Sequence, residues 1–288
     1  MSNKQKAILL MFLSTLSMSL MQLIVKLSSG MFPTMQQVFV RNFLTLILGA
    51  FLIAKGRQPI LKDKRNLPAL LGRSICGYIG VAGYFYATTH MNVADASLLH
   101  RSSPFFVIIF SAIFLKNPLK YIHLIALALA VSGSVLVINP AFNSNLLPSI
   151  IGVISAVGAG AAYVFINHLK NKETNATIIF FFSLVSCLLC VVTDGGSFIM
   201  PHGFQWLILL AIGIFAAIGQ ITLTQAYKMT DPGEVSIINY LGIAFSAILG
   251  LVFLKETVSL SSLLGMVCIF GAALLLYFVK NSKPVRIR

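Results

Sequence analysis

Residues 94–115 read ADASLLHRSSPFFVIIFSAIFL, and residues 232–254 read PGEVSIINYLGIAFSAILGLVFL. Only Asp95, His100 and Arg101 in the first stretch, and Glu234 in the second, carry charge readily near neutral pH. An α-helix rises about 1.5 Å per residue, so either stretch is long enough to cross about 30 Å of hydrocarbon. Barrel strands would be about ten residues long with alternating polarity, and these runs are continuously apolar. Working outward, eight more windows of the same kind fill the chain, at approximately 7–27, 35–54, 67–90, 121–138, 149–168, 175–193, 204–228 and 260–279. Short loops with Pro, Gly, Asn or Lys separate them. The expected fold is all-α and integral to the membrane, with ten transmembrane helices.

Composition agrees with a chain solvated mainly by lipid: 58% of the 288 residues are hydrophobic and 10% are charged. The formal net charge of +14 would suit a nucleic-acid binder only if it lay on a polar domain, and no such domain fits between the apolar runs. Cys76, Cys187, Cys190 and Cys268 all fall inside apolar runs, so the Cys187/Cys190 spacing reads as packing rather than as a redox or metal motif. No cofactor or metal is expected. Lys4 and Lys6 before an apolar run resemble a signal peptide, but the run is long enough to span and reads as the first helix, retained.

With the N-terminus placed inside, every Lys and Arg except Lys26, Arg41, Arg101 and Lys255 falls on the cytoplasmic side, Arg73 being counted there with Lys62, Lys64 and Arg65. Such a bias is the positive-inside rule, and it puts both termini in the cytoplasm of an inner-membrane protein. Sliding the chain on itself by 139 residues brings FLKN at 114–117 onto FLKE at 253–256, Gly80 onto Gly219, Asp95 onto Glu234 and Ser97 onto Ser236. The halves 1–142 and 143–288 are therefore expected to be repeats of five helices. An odd number of spans forces the second copy to enter from the opposite side, which makes the repeats inverted.

The residues brought into register, Gly83-Tyr84-Phe85-Tyr86-Ala87 followed by ADASLLHRSSPFFVIIFSAIFLKNPL, and Gly219-Gln220 through QAYKMTDPGEVSIINYLGIAFSAILGLVFLKE, resemble the repeat signatures of the drug/metabolite transporter superfamily, EamA type. The resemblance covers essentially the whole chain. Asn117 stands where that family usually has glutamate. The resemblance implies a carrier with a central cavity between the repeats, working by alternating access, and it leaves the substrate open.

Polar groups at bilayer depth need a partner or a task. Arg101 lies about 10 Å along the fourth span, beside His100 and before Pro104. Two readings stay open: it snorkels or bonds carbonyls freed by Pro104, or it is a cationic anchor in the cavity. The acids Asp63, Asp95, Glu173, Asp194, Asp231, Glu234 and Glu256 all read as loop or helix-end residues, which favours an anionic group of the substrate as the complement of Arg101. The shift equates His100 with Asn239 and Arg101 with Tyr240, so the four are expected to face one another across the cavity. Tyr84, Tyr86, Phe105 and Tyr163 would supply its walls. Gln22, Gln220 and Gln225 either line the cavity or bond helix to helix. Arg41 and Lys26 read as interfacial.

The expected function is secondary transport of a small metabolite, with amino acids or related zwitterionic or anionic compounds favoured and the lipid bilayer as the other partner. His100 alone sits deep enough for a proton relay, so the driving species stays open between a proton and an exchanged metabolite. A multidrug exporter of organic cations would favour an acidic or purely aromatic cavity. An intramembrane enzyme should show paired carboxylates, an HExxH pattern or a serine dyad in its spans, and none is present, so no catalytic residue is expected. A channel fits the repeats less well than a carrier does.

Overall fold

The computed structural model describes residues 3–57, 59–115, 121–138, 146–169, 171–194, 197–229, 238 and 240–281. Their regular structure is helical: α1 (Asn3–Leu27), α2 (Thr34–Lys55), a 3-10 turn (Lys64–Asn66), α3 (Leu67–His90), α4 (Val93–His100), α5 (Ser103–Leu115), α6 (Tyr121–Ile138), α7 (Leu147–Leu169), α8 (Asn175–Asp194), α9 (Gln205–Met229), α10 (Leu241–Leu249), which runs into a π-turn (Gly250–Leu254), and α11 (Leu260–Asn281). Among the described residues no strand forms beyond an isolated bridge between Ser29 and Phe32. Six stretches combine the length and apolarity of a membrane span: Gln5–Leu27, Thr34–Lys55, Val93–Phe114, Leu147–Leu169, Asn175–Thr193 and Gln205–Ala226. Ala128–Val137, Leu241–Leu254 and Leu260–Ala272 are shorter apolar helices.

The expected continuous fourth span is broken. α4 ends at His100 and α5 begins at Ser103, with Arg101 and Ser102 in a turn between them. The cause is Pro104, which has no N–H to give the carbonyl of His100 and whose ring crowds it. The backbone tightens instead, Ser102 N–H donating to Leu99 O (3.1 Å) and Phe105 N–H to Ser102 O (3.0 Å). The ninth expected span changes at the position 139 residues on, where Tyr240 sits in a turn before α10 and Ile243 N–H donates to Tyr240 O at 2.9 Å. Most of that span's first half, including Asp231 and Glu234, lies outside the described residues.

α3 is long enough to span, and it packs on α7, α8, α4, α2 and α1. Arg73, Ser74, Tyr78, Tyr84 and Thr88 are all buried along it. Its contact with α7 is backbone to backbone. A Cβ on Gly158 would stand 2.8 Å from the Cys76 carbonyl oxygen, and one on Gly80 would stand 3.0 Å from the Ala159 nitrogen. Small residues are what let membrane helices approach so closely. On the other flank α1 packs on α9, with Ser14 Oγ donating to Gly219 O (2.8 Å) and Ser17 Oγ to Phe215 O (3.1 Å). α2 packs on α8 and α9, α6 on α11, α10 on α1 and α5 on α7. Apolar side chains such as Ile47, Phe51, Leu188, Val192, Leu210 and Ile214 point outward from α2, α8 and α9, the surface expected of helices that meet lipid.

The chain ends of the bundle are tied by specific polar contacts. Glu173, buried in the α7–α8 connection, accepts from Lys62 N–H and Asp63 N–H (both 3.2 Å) and from Asn66 Nδ2 (2.8 Å), fastening the α2–α3 loop. Asp63 caps the 3-10 turn by accepting from Arg65 N–H at 2.9 Å, and that bond holds its exposed carboxyl below the usual carboxylate range. Gln36 at the start of α2 both donates to Ile199 O and accepts from Ile199 N–H, at 2.6 and 2.9 Å. Beside the start of α4, Glu256 accepts from Val93 N–H at 2.8 Å and faces Lys26 Nζ at 3.8 Å, while Lys26 donates to Met91 O at 2.9 Å.

Candidate functional site

Where α3, the α4–α5 break, α7 and α8 come up against α1, α2 and α9, the packing leaves a cavity of about 90 Å³. It has room for several waters and falls short of the few hundred Å³ of a drug-sized site. Of the residues singled out from sequence, Gln22, Tyr84, His100, Arg101, Tyr163 and Gln220 line it together. Tyr240 is buried but sits in the apolar cluster with Leu98, Leu99 and Phe105, its ring 5.9 Å from Phe270, and does not line the cavity. Phe105 belongs to the same cluster, and Tyr86 stacks on His90 at 4.1 Å, so neither is a wall of the cavity. Gln225 is exposed. Asn239 lies outside the described residues.

The break in the helix is what turns His100 and Arg101 inward. Arg101 Nε donates to Ser97 Oγ one turn back at 3.0 Å, and its guanidinium lies over Gly242 of α10, where any Cβ would collide with it. The His100 ring stacks flat on Tyr84, with centroids 4.2 Å apart and planes 1° from parallel. His100 Nδ1 lies 3.0 Å from Ser155 Oγ, and that hydroxyl spends its single proton on Gly152 O at 2.6 Å. Nδ1 is then the donor to the Ser155 hydroxyl.

Two further cations, Arg41 and Arg73, line the same cavity. The sequence pattern places Arg41 at the interface and Arg73 among the cytoplasmic charges. Both are instead buried, at 3% and 4% exposure, as is Arg101 at 6%. They meet at Phe182 of α8: the guanidinium carbon of Arg73 stands 3.8 Å from the ring centroid, that of Arg41 5.5 Å. Gly77, one turn on from Arg73, leaves the slot that the Arg73 guanidinium and the Phe182 ring share. Arg41 donates to Asn42 Oδ1 at 2.8 Å and, at a long 3.4 Å, to Gln220 Oε1. Among the described residues Arg73 Nε and Nη1, Arg41 Nε and both amide atoms of Gln22 have no hydrogen-bond partner. Among the described residues no aspartate or glutamate lines the cavity. The sequence did carry a signal for Arg73, which lies as deep in its apolar run as Arg101 does in its own. Nothing in the sequence pointed to Phe182.

The model of the EamA-like transporter family matches residues 5–139 and again residues 146–278. The chain belongs to that family, within the drug/metabolite transporter superfamily. It is a multi-pass membrane transporter. The pseudopaline exporter CntI of Pseudomonas aeruginosa is 31% identical over 279 residues, covering 96% of this chain and 98% of that one. An uncharacterized transporter of Helicobacter pylori is 26% identical, covering 93% of each chain. A protein of known crystal structure, 21% identical, superposes with a TM-score of 0.68 over 96% of this chain and 99% of its own, which speaks for the fold alone.

Proposed function

We propose that this EamA-family transporter carries a small metabolite bearing an anionic group, an amino acid or a related zwitterionic or anionic compound, across the cytoplasmic membrane by alternating access. The observation that carries the proposal is the cavity itself: among the described residues Arg73 Nε and Nη1 and Arg41 Nε have no acceptor, and no carboxylate lines the space these arginines face. A buried cation costs several kcal/mol unless it is paired, so a cavity built this way awaits an anion. The name of the Pseudomonas relative supports outward transport. The proposed architecture is two inverted repeats of five spans, 1–142 and 143–288, with both termini cytoplasmic. Its support is the pairing of helices. Adding 139 residues carries α1 onto α7, α2 onto α8, α3 onto α9 and α6 onto α11, and the α1–α9 and α2–α9 contacts are then matched by α7–α3 and α8–α3. Transport rather than catalysis is the reading, with no cofactor.

Thermal-shift titration of the purified protein against amino acids, organic acids, nucleosides, polyamines and cationic dyes tests it. A ligand at 100 times its Kd stabilises the folded state by about 2.7 kcal/mol. Carboxylate compounds should raise the melting temperature, and Arg101→Gln should remove the rise. Stabilisation by cations alone, unchanged in the variant, would replace this reading with a multidrug exporter.

A further inference from the structure

Two carboxylates from the second half of the chain, Glu173 and Glu256, reach across to the first half, one at each end of the cavity. Three helices run from the cavity to the Glu256 end. Lys26 lies one turn past Gln22 on α1, Met91 seven residues past Tyr84 at the end of α3, and Val93 seven residues before His100 at the start of α4, each about 6–10 Å beyond the lining residue by the helical rise. The three meet on Glu256, in the connection from α10 to α11. Its Oε2 accepts from Val93 N–H at 2.8 Å, its Oε1 faces Lys26 Nζ at 3.8 Å, and that Nζ donates to Met91 O at 2.9 Å. The connection is shaped for this contact: Lys255 takes a left-handed φ of 55°, Glu256 N–H donates back to Gly250 O at 3.1 Å, and the carboxylate lies against Gly250, where a Cβ would stand 3.0 Å from Oε2. At the other end Asn66, seven residues before Arg73, meets Glu173 together with the N–H groups of Lys62 and Asp63. The two closures are unequal. Glu173 is 2% exposed and holds three N–H donors, whereas the Glu256 side chain is 14% exposed and holds, among the described residues, one N–H donor and an ammonium beyond hydrogen-bond reach.

We infer that Glu256 is the latch of the carrier's gate at the end where α1 and α3 finish: its carboxylate, held by Lys26 and by the first N–H of α4, keeps the second half of the chain against the first, and this end opens when the carboxylate lets go. The inference rests on the alternating-access reading above and names where one of the two openings is made. In the topology proposed there it is the outward one. Removing the Glu256 charge ends the attraction to Lys26 and weakens the bond from Val93, because a neutral amide accepts less strongly than a carboxylate. None of the bonds to Glu173 involves these residues, so one side of the membrane alone should feel the change.

The test is the labelling of a cysteine in the cavity by a membrane-impermeant sulfonated maleimide, added to intact cells or to inside-out vesicles. The full chain carries Val81→Cys, at a lining residue that takes part in neither closure, and has Cys76, Cys187, Cys190 and Cys268 changed to alanine. Glu256→Gln should raise the labelling rate about tenfold from one side only, the cell exterior in the proposed topology, which is what one lost charge-assisted hydrogen bond does to a two-state equilibrium. Lys26→Met should raise it from the same side by a smaller factor, since Val93 still holds Glu256, and Lys26→Arg should stay near the parent. Glu173→Gln, the control at the other end, should not raise it from that side. Lys26→Met decides the matter if Glu256→Gln does not fold. A rise from neither side, with Val81→Cys labelled at a measurable rate from both, would overturn the latch and leave alternating access standing. Equal rises from both sides would overturn it as a general loosening of the bundle. Labelling from neither side, or from the same single side at one rate, in every variant would overturn the alternating-access reading along with the latch.

Discussion

Arg73 and Arg101 are buried to nearly the same degree in the same cavity, each with a glycine clearing its space, yet the protein treats them differently. Arg101 stands at a break in its helix, bonds Ser97 and presses on Gly242 of α10, so it joins the α4–α5 turn to the other half of the chain. Arg73 stands within an unbroken helix and is given a ring face, with two of its nitrogens lacking acceptors. One guanidinium is partly satisfied by the fold. The other is held ready at the expense of stability. Truncation should separate these roles by sign. Arg101→Met should lower the stability of the ligand-free protein by about 2–3 kcal/mol, the scale of a lost charge-assisted hydrogen bond. Arg73→Met should raise it by about 1 kcal/mol, because an apolar chain replaces a buried charge that has no carboxylate partner among the described residues. Urea midpoints in detergent measure both, and a loss at Arg73 as large as that at Arg101 would break the contrast.

The glycine seats allow the same comparison without touching either charge. Gly242→Ala pushes against the Arg101 guanidinium, and Gly77→Ala against Arg73 and Phe182. Each methyl overpacks a filled site, which costs about 1–3 kcal/mol. Gly242→Ala should take the upper end and abolish transport, because the group it displaces joins the two halves. Gly77→Ala should take the lower end and weaken anion binding, because the end of a flexible side chain can move aside. Melting temperature and ligand midpoint, read on the same two variants, separate the outcomes.

Gln22 extends the comparison to a neutral group. With neither amide atom partnered among the described residues, Gln22→Leu should stabilise the ligand-free protein by about 1 kcal/mol, the cost of an unsatisfied buried polar group. The same change should raise the ligand midpoint. A fall in stability on Gln22→Leu would mean that the amide is satisfied within the bundle.

The two seats were unequally legible in the sequence. Arg101 is legible because it lies deep in an apolar run beside Pro104, and the same proline is the signal that the span breaks. Arg73 lies as deep in its own run, but beside the lysine-rich segment 55–65 it reads as one of the cytoplasmic charges, and a charge rule does not say which arginines fold back into the protein. The helices themselves were readable to within a few residues. Windows 67–90 and 121–138 coincide with α3 and α6, because apolar length and flanking Asn, Pro or Lys are local signals. The pairing of Arg73 with Phe182, and the exclusion of Tyr240 from the cavity, depend on which faces of separate helices meet. No spacing within one helix encodes that.

The smallest effect is the most specific to the Arg101 seat. Ser97→Ala removes the acceptor of Arg101 Nε and little else, since Ser97 is fully buried and its methylene remains. If that bond holds the guanidinium over Gly242, its loss should cost about 1 kcal/mol in the ligand-free protein. Less of that cost should persist when an anion is bound, because the anion then holds the guanidinium from the cavity side. The ligand-induced rise in melting temperature should therefore be larger in Ser97→Ala than in the native protein, even though the variant starts lower. A second variant, Ser97→Thr, keeps the hydroxyl and should restore both values. If Ser97→Ala instead lowers both the starting temperature and the ligand-induced rise, the serine aims the guanidinium at its ligand, and Arg101 belongs with Arg73 as a binding group rather than opposite it.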